Sequence, residues 1–506
     1  MNKIVVVDFG SQYNQVIVKA LRKLEVDSEL VSYDEVFEHI TSETKGIILS
    51  GGPMSVYDKE AYKIDLKLFD MDIPILGVCY GMQYMVHNLG GSVGLSEYKE
   101  YGLKEVSIDI DNEFTKNVSK KTAVWMSHND SVTNLGENFI KVGSTDNHVA
   151  IVKHREKPLY GTQFHLEVEH TKEGIIMLEN FCFEICNLDK SWSIEKYLEE
   201  QKKIITDTVG NNKVICAISG GVDSSVVGTL LKETIPNQTI YLFVDTGLLR
   251  KYEGDQVLDM LRGDGLDVHK IDAKEQMYGA LKGVTDPEEK RKIIGKVFID
   301  VFNDTLVRFG SDAKFLAQGT LYSDIIESGT QNSHTIKSHH NVGGLPEDMQ
   351  FDLLEPIKFL FKDEVRKMGL LLNMKKEMVY RQPFPGPGLG VRIMGEITKE
   401  KVKTVQEADY IFRNIIEKTK YKETMFQYFV VLTNTKSVGV KGDMRAYEYV
   451  LAIRCIDSVD AMTANFSHID FETLGHIASE IVNNVEGITR VVYDITSKPP
   501  ATVEWE

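Results

Sequence analysis

The chain is poor in cysteine, with five spread over 506 residues. An odd number at no dense spacing excludes a disulfide scaffold. It reads as a reduced, cytoplasmic protein whose cysteines are buried or catalytic. No apolar stretch is long enough to span a bilayer, and Met1-Asn-Lys-Ile-Val-Val-Val7 runs straight into a strand pattern with no cleavage site. No membrane partner is expected. Positive charge is in deficit, 58 basic residues against 75 acidic, for a formal charge of −17. A nucleic-acid partner needs an electropositive footprint, so none is expected, although a locally basic pocket for a small nucleotide is compatible with this balance. Internal repeats and low-complexity tracts are missing too. What remains is ordinary globular material, 42% hydrophobic and 26% charged, long enough for roughly three domains.

The first segment, residues 1–190, alternates short apolar runs with helical patterns. Ile4–Val7, Gly46–Leu49 and Pro74–Val78 read as buried parallel strands, and Gln15–Leu24 as an amphipathic helix. The alternation predicts an α/β sheet with helices on both faces, whose function collects at the carboxyl ends of the strands. There stands Gly77-Val78-Cys79-Tyr80-Gly81, a nucleophile elbow with sulfur in place of oxygen. A buried cysteine in a tight strand-to-helix turn would look the same. Further along, the strand pattern Leu159–Phe164 is followed by His165 and Glu167. A thiolate needs a base and the base an orienting acceptor. Residues two apart in an extended segment point to one side, which makes Cys79, His165 and Glu167 a candidate constellation. Cys182 and Cys186, four apart in an apolar helical stretch with no His or Cys partners, read as core.

This segment resembles the class I, triad-type glutamine amidotransferases in Leu49-Ser-Gly-Gly-Pro53, Gly77-Val-Cys-Tyr-Gly-Met-Gln83, Ser127-His-Asn-Asp-Ser131 and Gly161-Thr-Gln-Phe-His-Leu-Glu-Val168. The resemblance implies that Cys79 attacks the glutamine side-chain amide, that His165 is base and then acid, and that Glu167 orients it. It places the oxyanion hole at the backbone N–H groups of Gly52 and Tyr80, and the substrate on Gln83, Asn129 and Asp130. One departure is Leu166, where the family usually has proline between the His and the Glu. The triad is expected to survive it, with the rigidity of the turn in question.

The middle segment, residues 191–381, opens on a helix with Ser193 as N-cap. Strand patterns at Lys213–Ile218, Thr239–Val244, Val268–Ile271 and Lys314–Ala317 predict a second doubly wound sheet. Its first strand runs into Ser219-Gly220-Gly221-Val222-Asp223-Ser224-Ser225 and then a helix. Glycines let the backbone approach an anion, and the helix N-terminus favours negative charge. A plain glycine turn with a Ser/Asp cap is the ordinary alternative. A Walker loop would carry a lysine, and here there is none. The string resembles the loop of the ATP pyrophosphatases, which cleave between the α and β phosphates. By that resemblance the seven residues bind ATP. The hydroxyls of Ser219, Ser224 and Ser225 and the loop N–H groups hold the departing pyrophosphate, Asp223 contacts Mg²⁺ because a hard cation takes carboxylate oxygen, and Val244 lies where adenine and ribose bind. Asp286–Gly295 opens a long helix carrying a charge run, of which Lys290 and Lys292 are expected on a solvated face. The polar stretch from Gln318 through Asp324 and Glu327 to Ile336-Lys337-Ser-His339-His340-Asn341 is too long for an idle connection. It reads as a lid over the nucleotide, with Lys337 neutralising charge on the phosphates as a catalytic group and Asp324 and Glu327 assisting. Adjacent histidines rarely converge on one metal ion.

Residues 382–506 begin with the Pro–Gly linker Gln382–Leu389 and read as a smaller α+β domain: a strand at Val391–Met394, a helix from Thr398 to about Lys418, strands near Tyr428–Leu432, a hairpin turn at Gly442-Asp443, a helix over Phe471–Val485 and two final strands. The tail Thr496–Glu506, rich in Pro, Val and Trp, is expected to be docked. The fold class is thus two doubly wound α/β domains followed by a smaller α+β domain. Over essentially its whole length, and through QPFPGPGL, IKSHHNVGGLP and SKPPATVEWE, the chain resembles the glutamine-hydrolysing GMP synthase family. That resemblance implies a ligase that hydrolyses glutamine to ammonia, uses MgATP to adenylylate xanthosine monophosphate (XMP), and aminates it to GMP with release of AMP and pyrophosphate. It implies a homodimer through the last domain, and XMP contacts at Arg291, Arg381, Gln427, Lys498 and Glu504. Met462-Thr-Ala-Asn-Phe466 departs from the family's pattern and leaves the role of Asn465 open. Another amidotransferase with a different acceptor, such as an NAD synthetase, would lack the tail and lid; a non-catalytic nucleotide-binding regulator would be expected to have lost Cys79, His165 or Asp223.

Overall fold

The computed structural model describes residues 2–506 except 12, 310–312, 323, 325–350, 383 and 459–462. The chain folds as two compact units that meet in sequence after Tyr197.

In the first unit, strands β1 (Lys3–Asp8), β2 (Asp27–Ser32), β3 (Thr44–Leu49), β4 (Ile75–Val78), β5 (Ser92–Ile108), β6 (Lys121–Asn134), β7 (Phe139–Ser144), β8 (Val149–His154) and β9 (Leu159–Thr162) form one sheet in the order 2-1-3-4-9-8-7-5-6. The portion 2-1-3-4-9 is parallel. Ile4 to Val7 have no exposed surface, which is why the strand reads as an unbroken apolar run: helices cover both faces of such a sheet. Beyond β9 the sheet continues as an antiparallel wing. Helices α1 (Asn14–Lys23) and α2 (Tyr80–Asn88) follow β1 and β4. Strand β2, Asp-Ser-Glu-Leu-Val-Ser at the sheet edge, is only partly buried and has too little apolar periodicity to stand out in the sequence. Cys182 and Cys186 are both buried, as core residues should be.

In the second unit, α3 (Ile194–Val209) spans the junction and is capped by Ser193, whose hydroxyl accepts from the Lys196 N–H at 3.3 Å. Strands β10 (Lys213–Ala217), β11 (Thr239–Asp245), β12 (Val268–Asp272), β13 (Ala313–Ala317) and β14 (Asp352–Leu354) make an all-parallel sheet in the order 12-11-10-13-14. Its winding reverses at β10, so the loop leaving β10 sits at the switch point where open α/β sheets bind ligands. Helices α4 (Val222–Thr234), α5 (Glu253–Gly263), α6 (Pro287–Phe309) and α7 (Lys362–Leu371) belong to this layer.

The remaining strands, β15 (Gln427–Lys441), β16 (Met444–Asp457), β17 (Asn465–Phe466) and β18 (Ile488–Asp494), pair around β16. The turn between β15 and β16 is Gly442-Asp443 with φ of +53° and +62°, the double positive φ that matches strand twist in a two-residue hairpin. Helices α8 (Lys399–Ile416) and α9 (Phe471–Asn484) are capped by Thr398 and Asp470, whose side chains accept from backbone N–H groups in the first turn. One apolar cluster runs from Val244 and Leu248 through Ile294 and Leu389 to Phe412, Leu451 and Ile488. The middle and last segments therefore share a core and belong to one compact unit.

Three expectations need correction. Val391–Met394 is not a strand. Gly388–Arg392 is a 3₁₀ turn, and a single bridge joins Ile393 to Leu432. Gly388, at φ +61°, lies so close to Leu248 that a Cβ would sit 2.4 Å from its carbonyl oxygen, and that approach bends the chain. One strand, not two, follows α9; past Asp494 only an isolated bridge of Lys498 to Ala464 remains, because Pro499 and Pro500 have no N–H to extend a ladder. Finally, Lys290 is not solvated: it has no exposed surface, and its Nζ donates to the Ile393 carbonyl at 2.8 Å. The docked tail, described below, is what covers it. Among the described residues no helix is long and apolar enough to cross a membrane.

Candidate active sites

The first site lies where β4 and β9 end, beside the middle of β6. Cys79 sits between β4 and α2 with φ +50° and ψ −106°, a backbone state costing about 1–3 kcal/mol for a residue with a Cβ and met chiefly at functional sites. The turn is locked by the Cys79 N–H donating to the Thr162 carbonyl at 2.7 Å and the Gly81 N–H to the Ser50 carbonyl at 3.0 Å. Its flanking glycines are obligatory: a Cβ on Gly81 would stand 2.3 Å from the Leu49 carbonyl oxygen, and one on Gly77 2.5 Å from the Met82 nitrogen. The sulfur is buried, with the Gln163 amide nitrogen at 3.6 Å and the Ser127 carbonyl oxygen at 3.9 Å.

His165 and Glu167 share the far side. Nδ1 of His165 is 2.8 Å from Oε1 of Glu167, and both side chains are almost wholly buried. Burial works against the imidazolium, but the Glu167 charge and the hydrogen bond and charge of Cys79 outweigh it and hold His165 well above the ordinary imidazole range. The ring packs on Tyr13 with centroids 4.6 Å apart. The turn that holds the pair does not depend on proline. Leu166 is buried, the Thr171 hydroxyl donates to the His165 carbonyl at 2.6 Å, and the Trp125 N–H donates to the Thr171 hydroxyl at 3.0 Å.

Of the residues the resemblance assigns to the substrate, Gln83 and Asp130 are joined to each other and, through Gln163, to Cys79, whereas Asn129 is exposed on β6. Gln83 is buried and donates to the Asp130 carbonyl at 2.8 Å and to Oε1 of Gln163 at 3.1 Å. The Asp130 carboxylate accepts from Tyr57 at 2.9 Å and from Ser55. Asn129 accepts from Tyr101 at 2.7 Å. Gly52 lies against Tyr80, with its Cβ position 3.2 Å from the ring. Gln163 is the notable residue that sequence reasoning passed over. The strand expected to run on to Phe164 ends at Thr162, and residues 163–167 are a bend, an isolated bridge at His165 and a turn, so no strand period places Gln163 beside Cys79; the turn does.

In the second unit, the loop after β10 folds on itself. Gly220 has φ +81°, a conformation that suits glycine. Ser219 and Ser224 hydroxyls are 3.1 Å apart, and the Gly221 N–H donates to the Ser219 hydroxyl at 3.3 Å. The Ser225 hydroxyl is buried without a hydrogen-bond partner. Gly319, just past β13, closes the cradle: a Cβ there would be 3.0 Å from the Ser224 nitrogen. Asp223 is split in character. Its Oδ2 accepts from Nζ of Lys362 at 2.5 Å, while its Oδ1 is buried without a hydrogen-bond partner. A single unsatisfied carboxylate oxygen beside a phosphate cradle suits Mg²⁺, which takes one or two carboxylates and completes its shell with phosphates and water. Among the described residues no cluster of three metal-binding side chains occurs. Val244 is buried near the carboxyl end of β11. Of the lid residues only Asp324 is described, its Oδ2 accepting from the Leu321 N–H at 2.9 Å; Glu327, Lys337, His339, His340 and Asn341 lie outside the described residues. Lys362 was not legible beforehand, being 139 positions from its partner.

The five residues assigned to the acceptor do not gather in one group. Arg381 is at the loop after β10, donating to the Gly220 carbonyl at 2.9 Å and pairing with Glu253 at the start of α5. Gln427 donates to Oε1 of Glu504 at 3.2 Å, and Arg291 donates to the main-chain oxygen of Glu506. Glu504 is held through both oxygens by Arg392, at 2.8 and 3.1 Å. Lys498 exchanges backbone hydrogen bonds with Ala464.

Comparison with known proteins gives a family for each end of the chain. Residues 5–185 match the family model described as glutamine amidotransferase class-I, and residues 414–505 that described as GMP synthase C terminal domain. Curated relatives match end to end. The chain is 50% identical to a protein of Lactobacillus acidophilus, 50% to one of Enterococcus faecalis and 51% to one of Ligilactobacillus salivarius, in each case over 100% of this chain and 98% of the relative. All three carry the name GMP synthase [glutamine-hydrolyzing].

Proposed function

The chain belongs to the glutamine-hydrolysing GMP synthase family, and from that premise we propose how its residues divide the work. It is an amidotransferase ligase that makes GMP from XMP with nitrogen from glutamine. Residues 1–190 release ammonia, residues 191–381 activate XMP with ATP, and residues 382–506 help bind XMP and form a homodimer. The observation that carries the first assignment is Cys79, held at positive φ with the buried His165–Glu167 pair beside it.

In the first half-reaction, Sγ of Cys79 attacks the side-chain carbonyl carbon of glutamine. Gln83, Asn129 and Asp130 orient the substrate, and the N–H groups of Gly52 and Tyr80 receive the oxyanion. His165 passes its proton to the departing nitrogen, and ammonia leaves. His165 then takes a proton from water as water attacks the thioester, and glutamate is released. Glu167 holds the imidazole in one tautomer throughout.

In the second half-reaction, the 2-oxygen of XMP attacks the α-phosphorus of ATP and pyrophosphate departs. Ammonia then adds at C2 and AMP leaves, carrying the oxygen away as part of a good leaving group. Ser219, Ser224, Ser225 and the loop N–H groups hold the pyrophosphate. Asp223 would hold Mg²⁺ through its free Oδ1, and the ion would supply charge neutralisation to the phosphates. Lys337, with Asp324 and Glu327, completes the site from the lid, together with His339, His340 and Asn341. Arg291, Gln427, Lys498 and Glu504 around the tail, and Arg381 from its separate place at the loop after β10, are the contacts proposed for XMP. Dimerisation has support in the hairpin of β15 and β16, where Val438, Val440, Met444 and Tyr447 are all more than half exposed. The small-molecule substrates, reduced cysteines and acidic surface suit the cytoplasm.

The test is an assay with glutamine, MgATP and XMP. GMP, AMP and pyrophosphate should appear in equal amounts. Formation of ADP in place of AMP overturns the adenylylation chemistry, and a product other than GMP overturns the acceptor.

A further inference from the structure

Glu506, given no role above, is bound on three sides beside the proposed acceptor region. Its carboxylate pairs with Nζ of Lys290, a lysine with no exposed surface, and Glu506 itself is almost buried. The other carboxylate oxygen accepts from the Gly395 N–H at 3.2 Å. Its main-chain oxygen accepts from Arg291, and Lys290 in turn donates to the Ile393 carbonyl at 2.8 Å. One residue thus ties α6 to the turn after Gly388 and to the tail. Two positions earlier, Glu504 is gripped by the fully buried Arg392 and by Gln427.

A buried ion pair is a poor way to gain stability. Desolvating both charges costs about what their attraction returns, and apolar residues of similar volume often do as well or better. What such a pair does supply is register, since a charge buried out of place is costly. Here the register that matters is that of the tail. Sliding it by one residue would turn Glu504 away from Gln427 and withdraw the acceptor of Arg291.

We propose that the Lys290–Glu506 pair is a latch that sets the tail's register, making both residues positioning residues for XMP binding. They act through Arg291 and Glu504 without contacting the nucleotide. The inference rests on the acceptor site read above, and the experiment separates the two. Steady-state KM values for XMP and ATP, kcat and thermal midpoints are measured on the full chain for Glu506→Gln, for the double variant Lys290→Met with Glu506→Met, and for Arg291→Ala. Glu506→Gln should raise the KM for XMP about tenfold and lower the midpoint, because Lys290 is left unpaired, while the KM for ATP stays within about twofold. The double variant removes both charges. Its midpoint should recover toward that of the parent while the KM for XMP stays raised. Recovery of the XMP KM together with the midpoint refutes the latch, as does an equal rise in the KM for ATP, which would mean general loosening. Arg291→Ala tests the underlying site. If it leaves the KM for XMP unchanged, the acceptor reading fails; if it raises that KM while the latch variants do not, only the latch fails.

Discussion

Replacing Glu167 by Gln isolates what the carboxylate does for His165. The amide can still accept from Nδ1, so the ring keeps its orientation and loses only the counter-charge. The parent pair is 2.8 Å apart and both side chains are almost fully buried, so the attraction is little screened. Unit charges at about 4 Å in surroundings of effective dielectric about 20 attract by about 4 kcal/mol. Glutamine hydrolysis runs through the imidazolium, which Glu167 already favours in the resting site, so without the carboxylate that state must be formed on the way to the barrier. At 1.36 kcal/mol per decade, a loss of about 3–4 kcal/mol is a fall of about 10²–10³ in kcat for glutamine. Synthesis driven by added ammonium salt should be unchanged, because it bypasses Cys79. The pH dependence has a definite sign. His165 is raised in the folded protein by Glu167 and Cys79, against its burial, so the stabilisation it gives is fully present below the unfolded value near 6.5 and is lost as pH rises through the raised folded value. The stability gap between parent and variant should therefore be widest at about pH 5–6.5 and narrow in more alkaline buffer. Glutaminase activity within about threefold of the parent refutes the charge argument, and a parallel loss of ammonium-driven synthesis refutes the separation of the two sites.

Four further outcomes are expected. Cys79→Ala should abolish glutamine-driven synthesis and spare the ammonium-driven reaction, while Cys79→Gly, which suits φ +50°, should unfold about 1 kcal/mol later than Cys79→Ala in denaturant titrations; equal stability would mean the elbow is unstrained. Lys362→Met leaves Asp223 without its cation, so the KM for MgATP should rise about tenfold with glutaminase intact, and an unchanged KM would remove Lys362 from the site. Gly442→Ala, at φ +53° with open space around it, should cost about 1 kcal/mol through backbone conformation alone; a cost near zero would show the hairpin relaxing to another turn. Val438 lies opposite Tyr447 in the ladder and shares its face with Val440, so Val440→Lys with Tyr447→Lys should shift sedimentation toward monomer at unchanged thermal stability, and an unaltered assembly would place any dimer contact elsewhere.

Much of this protein was legible in one dimension because some chemistry is local. The Cys79 elbow and the seven residues after β10 announce themselves, since a strained turn or a phosphate cradle needs small residues at fixed offsets and admits few substitutes. The His165–Glu167 pair was flagged by its two-residue spacing, but the extended segment assumed for it ends at Thr162; Glu167 lies in the turn that follows, and it is that turn that brings the two together. The buried parallel strands were legible because a sheet covered on both sides leaves continuous apolar runs. The edge strand β2 left no such trace, and Val391–Met394 read as a strand although the chain over Gly388–Arg392 is a 3₁₀ turn, bent where Gly388 approaches Leu248.

Burial of charge was the matter that only the tertiary structure decided. Lys290 stands in a run of charged residues and read as solvated, yet it lies under a tail more than 200 residues away. Lys362 reaches Asp223, and Arg381 reaches Gly220, across similar gaps. A charged side chain on a helix looks the same in sequence whether water or a carboxylate faces it. Which one does depends on how distant segments pack, and no local periodicity records that. The sequence by itself therefore determined the local turns, the Cys79 elbow and the glycine loop after β10; packing at long range determined which cations pair with Asp223, Glu253, Glu504 and Glu506.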